Sequence, residues 1–260
     1  MLNYSFTYGD LEFFLLILVR IASFIYAAPF FNQRSIPQRV KIGLAVFIAI
    51  LLYGVVDKTN PIVYNSVVGY AAIVIKEIVT GLIIGFGTNL CLTIVNFAGH
   101  IVDMQVGISM VTLMDPSSNE QVGITGIYYQ YTVTLMLLVS GMYEYLIKAL
   151  ADTFELIPVN GAVFNTESLL SSFVAFLGNY MVVGFRICLP VLIVTITLNC
   201  VLGILAKVAP QMNMFSVGMQ IKILVGFSIM FLSTGMLPSV ANFVFTNTKV
   251  MLNAFVGGLM

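Results

Sequence analysis

Long stretches without a charged residue constrain this chain more than any other feature. A helix needs about 20 largely apolar residues to cross roughly 30 Å of hydrocarbon, because each residue adds about 1.5 Å. The strongest such stretches are residues 78–99, 121–143, 187–206 and 223–248. Residues 11–31 join them if Glu12 and Arg20 find partners, and weaker candidates are residues 42–56 and 168–185.

The amino-acid composition indicates which environment surrounds these stretches. Of 260 residues, 60% are hydrophobic and 8% are charged, whereas an ordinary soluble domain has about 25% charged residues. The net charge is zero, so nothing indicates nucleic acid as a partner. The sequence predicts an all-α membrane protein in contact with lipid, a bundle of helical hairpins with five to seven hydrophobic segments. We expect a single domain over residues 1–260.

Motifs of enzymes and metal sites are missing from the sequence. The only histidine, His100, has no second histidine or nearby cysteine at metal-ligand spacing, and there is no HExxH run. Three cysteines, Cys91, Cys188 and Cys200, lie in apolar stretches without CxxC spacing, which argues against zinc and against disulfides. We expect no catalytic residue, no metal and no cofactor.

Four charged residues interrupt the apolar segments, namely Arg20, Lys76, Glu77 and Arg186. Ionisable residues within membrane segments are rare and are usually paired or functional. Adjacent helical residues point about 100° apart, so Lys76 and Glu77 cannot satisfy each other. Each is expected to find a partner elsewhere on this chain or on a neighbouring subunit. A proton relay is the alternative, but it needs several titratable groups in line.

Two glycines favour close contact between helices. Gly81 and Gly85 are four residues apart and therefore share one helix face. Small residues at this spacing let a second helix approach closely. The pattern is weak on its own.

A turn between two long apolar segments is predicted at residues 209–218, after Lys207. Pro210 ends a helix because it lacks an amide donor and clashes with the preceding turn. Gln211 and Asn213 can bond the freed backbone groups, and Ser216 can cap the next helix. The simplest interpretation is an ordinary connection between two helices.

An acidic segment without a base interrupts the apolar pattern at residues 103–120. Irregular backbone at membrane depth is tolerated only where it is buried in protein or lines a water-filled path. Asp115 can cap a helix that starts with Pro116, and Ser118 with Gln121 has the spacing of a capping box. A cap and a pore loop are compatible interpretations.

Three blocks of residues, spread in order over nearly the whole chain, carry a family resemblance. The amino-terminal block is Arg20, Pro29-Phe30, Pro37, Arg39 and Lys41-Ile42-Gly43-Leu44. The middle block is Asp115-Pro116, Gln121, Gly123 and Gly126. The carboxy-terminal block is Asn199, Gly203, Lys207, Ala209-Pro210-Gln211, Asn213, Phe215, Gly218, Lys222 and Gly226. Together they resemble the FliR family, the flagellar relatives of the injectisome export protein SctT. Lys207 departs from the pattern, which often has arginine there.

The resemblance implies a subunit of the type III protein export gate in the bacterial inner membrane, a multi-pass protein of the flagellar basal body. Copies of FliP and FliQ would join it around a protein-conducting pore for unfolded flagellar proteins, and FlhB and FlhA would be further partners. An injectisome gate protein of the SctT type is the alternative. The residues expected to serve structure and assembly are Arg20, Lys76, Glu77, Gly81, Gly85, Arg186, Asn199, Lys207, Pro210, Gln211 and Gly218.

The resemblance also implies that a middle loop, residues 104–120, projects into the pore and helps to close it. The residues expected to form this plug and its methionine gasket are Met104, Gly107, Met110, Met114, Asp115 and Pro116. Methionine suits a seal that opens and closes, because its unbranched side chain and polarizable sulfur repack readily. A glycine gives the loop a hinge. Without the resemblance, the three methionines would be assigned to routine helix packing.

A self-contained small-solute transporter is the less favoured rival. Such proteins often have inverted repeats and broken helices around a central site. No convincing internal repeat is visible, although Pro29, Pro190 and Pro238 could break segments.

Overall fold

The computed structural model describes residues 8–33, 35–56, 64, 66–109, 112–115, 121–209, 211 and 213–260. The helices there are α1 (Tyr8–Ala27), α2 (Gln38–Tyr53), α3 (Val67–Val106), α4 (Ile124–Val139), α5 (Met142–Leu156), α6 (Thr166–Val208), α7 (Met214–Ser233) and α8 (Leu237–Gly257). A 3-10 turn, Thr234–Met236, joins the last two, and two short strands are β1 (Thr112–Met114) and β2 (Gln121–Gly123). The predicted all-α membrane fold is confirmed, with this strand pair as an addition.

Three helical stretches are long and apolar enough to cross a membrane: Val67–Val106, Thr166–Val208 and Ser216–Gly257. Each has 40 residues or more and is therefore about 60 Å long at 1.5 Å per residue. That is roughly twice the thickness of a hydrocarbon core. A bilayer alone cannot cover the full apolar length of these helices.

Two predicted segment boundaries are wrong. The stretch 121–143 does not form one segment, because α4 ends at Val139 and α5 leaves it at 66°. Gly141 makes this corner with φ +74°, a left-handed conformation that glycine adopts without strain. The stretches 168–185 and 187–206, by contrast, form a single helix, α6.

The helix after the middle loop begins at Ile124, and the predicted first helical position, Pro116, lies outside the described residues. Gln121 pairs in β2, so its proposed capping box with Ser118 is wrong. The sequence gives little warning of so short a strand, because three residues are too few for a visible alternation of apolar and polar side chains.

The predicted turn between α6 and α7 lies where the sequence indicates, but its cap differs. Asn213 precedes α7, and its side-chain oxygen accepts a hydrogen bond from the Ser216 amide at 3.4 Å. The cap is therefore Asn213 and not Ser216. Asparagine is among the preferred residues at this position.

The chain forms two compact units, each built from non-consecutive parts. Unit 1 comprises Met1–Leu90, Gly141–Phe176 and Asn247–Met260, and unit 2 comprises Cys91–Ser140 and Leu177–Thr246. Helices α3, α6 and α8 therefore each contribute to both units. A single domain over residues 1–260 stays a prediction.

In unit 1, α1 packs directly on the glycine face of α3. A methyl group at Gly81 would overlap the Arg20 carbonyl and the Ser23 hydroxyl, and one at Gly85 would lie 2.8 Å from the Ala27 side chain. Backbone therefore touches backbone along this contact, as in close helix pairs of membrane proteins.

A buried ion pair lies at the centre of unit 1. The Arg20 Nε donates to the Glu77 carboxylate at 2.5 Å, and both side chains are 0% exposed. Arg20 also donates to the Ile157 carbonyl at 2.8 Å, and Glu77 accepts from the Asn160 amide at 2.8 Å. The adjacent Lys76 donates to the Asn160 carbonyl at 2.9 Å. This ion-pair cluster ties α1 and α3 to the connection between α5 and α6.

We expect the Glu77→Gln variant to lose stability, because it leaves the Arg20 charge buried without a counterion. Breaking a buried pair costs about 3–5 kcal/mol. The matched control is Glu155→Gln, which removes an exposed carboxylate of α5 in the same unit and should stay within about 0.5 kcal/mol of the parent. Thermal unfolding of the detergent-purified proteins measures both. Equal midpoints for the two variants would contradict the central role of the pair.

Candidate functional site

The middle loop begins later than predicted, because α3 continues through Met104 to Val106. Gly107 then adopts φ +90°, which favours glycine over any other residue. Its amide and that of Ile108 both donate to the Asp103 carbonyl, at 3.1 and 3.0 Å. This left-handed cap ends the helix and turns the chain away from its axis.

After the cap, the middle loop folds into a short hairpin. β1 and β2 pair antiparallel, with Thr112 opposite Gly123, Leu113 opposite Val122, and Met114 opposite Gln121. The Val122 side chain is 2% exposed and that of Leu113 is 47% exposed. These two residues are directly opposite each other and therefore lie on the same face of the hairpin. On that face β2 is buried at Val122, whereas β1 is exposed at Leu113.

Asp103 fastens the base of the hairpin from one side. It is 1% exposed, and its Oδ1 accepts from the Thr125 hydroxyl at 2.5 Å and the Thr125 amide at 3.2 Å. Its Oδ2 is buried with no hydrogen-bond partner among the described residues. A methyl group at Gly123 would overlap this carboxylate. The end of α3 is thus joined to the first turn of α4.

Asp115 fastens the hairpin a second time, directly after β1. It is fully buried and accepts a hydrogen bond from the Tyr131 hydroxyl at 2.8 Å. Tyr131 lies on α4, six residues beyond Thr125. Two buried carboxylates therefore hold the hairpin against a single helix, each accepting a hydrogen bond from a hydroxyl of α4.

A close crossing of α3 and α4 supports the hairpin. A methyl group at Gly99 would lie 2.5 Å from the backbone nitrogen of Gly126. One at Gly126 would lie 2.8 Å from the Val122 side chain. The hairpin strand β2 thus packs beside this close crossing of the two helices.

A cavity of about 300 Å³ connects the middle loop with the carboxy-terminal block. Its lining residues are Val106, Gly107, Asn199, Leu202, Gly218, Met219 and Lys222. Gly107 comes from the middle loop, and Asn199, Gly218 and Lys222 come from the block singled out by resemblance. Residues more than 90 positions apart in sequence therefore share one site in unit 2.

Other candidate residues lie elsewhere. Met110, Pro116 and Pro210 fall outside the described residues, and of Met114 only the backbone is described. Met104 is 70% exposed, and Lys207 and Gln211 are also exposed. Arg20, Lys76, Glu77, Gly81 and Gly85 belong to unit 1. Across the described part of the chain, no group of three or more His, Cys, Asp or Glu side chains could hold a metal.

Sequence reasoning missed the partners of the two carboxylates. Thr125 and Tyr131 lie in an apolar stretch and carry no motif of their own. The available signal was the rule that buried polar groups are hydrogen-bonded. For Asp103 and Asp115, this rule predicts hydrogen-bond donors nearby, and the hydroxyls of the following helix are such donors.

We expect the Gly99→Ala variant to destabilise the hairpin region, because the added methyl meets the backbone of α4. Overpacking of this kind typically costs about 1–3 kcal/mol. The matched control is Gly203→Ala on α6, where a methyl group meets nothing within 4 Å and alanine is the better helix former. Hydrogen exchange of residues 112–123 and thermal unfolding would show the difference. Equal protection in both variants would contradict the crossing.

Comparison with known proteins places this architecture in a family. A model of "Bacterial export proteins, family 1" matches residues 11–248. The chain is 30% identical to the flagellar biosynthetic protein FliR of Escherichia coli (strain K12) over 87% of its own length and 84% of that protein. It is 29% identical to FliR of Bacillus subtilis (strain 168) over 90% and 91%. The chain therefore belongs to the FliR family of bacterial export proteins.

Proposed function

We propose that this chain is a subunit of the flagellar type III protein export gate in the bacterial inner membrane. In this proposal it forms a protein-conducting pore with FliP-like and FliQ-like subunits, and FlhB and FlhA are further partners. Unfolded flagellar proteins would pass through the pore. The observation that carries the proposal is a short hairpin, fastened by two buried carboxylates, in the middle of an otherwise apolar helical chain.

The length of the helices supports assembly with other subunits. Helix α6 has 43 residues and is about 64 Å long, so roughly half of it lies outside a hydrocarbon core of about 30 Å. Large apolar side chains are nevertheless exposed along its whole length, including Leu170, Val174, Val182, Ile193, Ile196, Val201 and Ile204. Protein partners are the natural cover for the part that lipid cannot reach.

The hairpin supports the closing role proposed for the middle loop. The hairpin region is fixed to α4 through Asp103 and Asp115, whereas Met104 near the end of α3 and Leu113 on β1 are exposed. A plug requires such an arrangement, with some groups anchored and others free to pack against neighbouring subunits. Methionine side chains adapt readily to such changing contacts.

Co-purification tests the assembly. The tagged chain should leave the membrane bound to FliP-like and FliQ-like proteins, and deletion of its gene should abolish flagellar filaments. A stable monomer that carries a saturable solute flux would overturn the proposal in favour of a transporter. Intact filaments with a lost injectisome would favour the SctT-type alternative.

We expect a deletion of residues 110–119 to make the closed gate leak ions, because it removes strand β1 and the Asp115 carboxylate that fastens the hairpin to α4. Tyr131→Phe should leak less, since it removes one hydrogen bond to the Asp115 carboxylate, worth about 1.5–3 kcal/mol when the acceptor is charged. That energy corresponds to an increase of about tenfold to hundredfold in the open population. Conductance of the purified complex in planar bilayers measures both.

The control for the conductance measurement is Tyr128→Phe. Tyr128 lies on α4, as Tyr131 does, and its exposed hydroxyl is hydrogen-bonded to the Thr234 hydroxyl. This variant should show the same baseline conductance as the parent. A deletion variant that assembles fully and conducts no more than the parent would refute the closing role of the loop, and leave the assembly itself untouched.

A further inference from the structure

Arg186 differs from the other charges of the apolar segments. Arg20, Lys76 and Glu77 all find partners within unit 1. Arg186 lies on α6, its side chain is exposed, and no described residue accepts a hydrogen bond from it. Charged residues within apolar segments are usually paired or functional, so Arg186 is a candidate binding residue for an anion.

The described part of unit 2 contains two carboxylates, Asp103 and Asp115. Both are buried, and they accept hydrogen bonds from the hydroxyls of Thr125 and Tyr131 respectively. Neither of these two carboxylates accepts a hydrogen bond from Arg186.

An apolar cavity opens beside Arg186 in unit 2. It has a volume of about 230 Å³, and its walls include Val183, Ile187, Val240 and Phe243. A charged group at the edge of an apolar cavity matches an amphiphile, whose polar head and hydrocarbon chain need such different surroundings. A carboxylate on a partner helix would satisfy the charge but would leave this cavity without an occupant.

The position of Arg186 along α6 matches the edge of a hydrocarbon layer. Residues 187–206 carry no charge and separate Arg186 from Lys207, a span of 20 residues or about 30 Å. Pro190 lies within α6 and cannot donate the helical hydrogen bond to the Arg186 carbonyl. A cation and an open carbonyl at one level indicate a polar layer such as that of lipid headgroups.

We propose that Arg186 and the cavity beside it bind an anionic phospholipid, with the phosphate on the guanidinium and an acyl chain along Val240 and Phe243. Arginine donates two parallel hydrogen bonds to a phosphate, which lysine cannot do. The site lies on the outer surface of unit 2 and is independent of the middle loop.

Native mass spectrometry of the detergent-purified chain with its bound partner subunits tests this site, with phosphatidylglycerol and phosphatidylcholine as probes. The parent should retain phosphatidylglycerol in preference to phosphatidylcholine. Arg186→Gln should weaken that retention about tenfold, which corresponds to the loss of one charge-assisted contact of about 1.4 kcal/mol. Arg186→Lys should fall between the two.

Two further variants separate the parts of the site. Lys148→Gln removes an exposed charge from α5 and should bind phosphatidylglycerol like the parent. Val240→Phe fills the cavity and should weaken binding while Arg186 stays in place. Unchanged lipid retention in Arg186→Gln would overturn the proposal. Loss of partner subunits from that variant with unchanged lipid would also overturn it, and would assign Arg186 to a partner carboxylate.

Discussion

The pairing of Arg20 with Glu77 is the interaction on which unit 1 depends. Both side chains are fully buried on apolar helices, and a charge left alone there would cost several kcal/mol. The guanidinium therefore has a single satisfactory position, between Glu77 and the carbonyls that follow α5, with the Phe154 ring 4.4 Å away. That requirement fixes α1 against α3 and sets where the chain turns into α6.

The buried charged groups of unit 2 also need partners, but they find hydroxyls where unit 1 uses an ion pair. The buried carboxylates of unit 2 accept hydrogen bonds from hydroxyls of α4, and its described cations, Arg186, Lys207 and Lys222, form no ion pair with another described residue. An ion pair holds its partners strongly, whereas a hydrogen bond contributes only about 0.5–1.5 kcal/mol, or about 1.5–3 kcal/mol when one partner is charged. Unit 2 is therefore the part of the chain better suited to rearrangement, and its cations remain available to other molecules.

Sequence reasoning reached the fold class because charge and hydropathy alone decide where a chain can meet lipid. It identified Arg20, Lys76 and Glu77 as residues in need of partners, but not which partners, since Ile157 and Asn160 contribute only backbone groups. It could not find the hairpin, because a strand of three residues has no detectable period. It also divided α6 at Arg186, although an exposed charge does not interrupt helical hydrogen bonding.

The ion pair of unit 1 and the hydrogen bonds of unit 2 differ in how easily they break, and this difference determines which part of the proposed gate would move first. A hairpin of three residue pairs is marginal by itself, so its position rests mainly on Asp103, Asp115 and the crossing at Gly99. The hydroxyl bonds from Thr125 and Tyr131 to these carboxylates are worth about 3–6 kcal/mol together, and in the proposed gate a passing polypeptide would offer its own amides in their place. The ion pair of unit 1 admits no such exchange, because removing either charge leaves the other buried without a counterion. In the proposed gate the loop would therefore open while the helices of unit 1 keep their contacts.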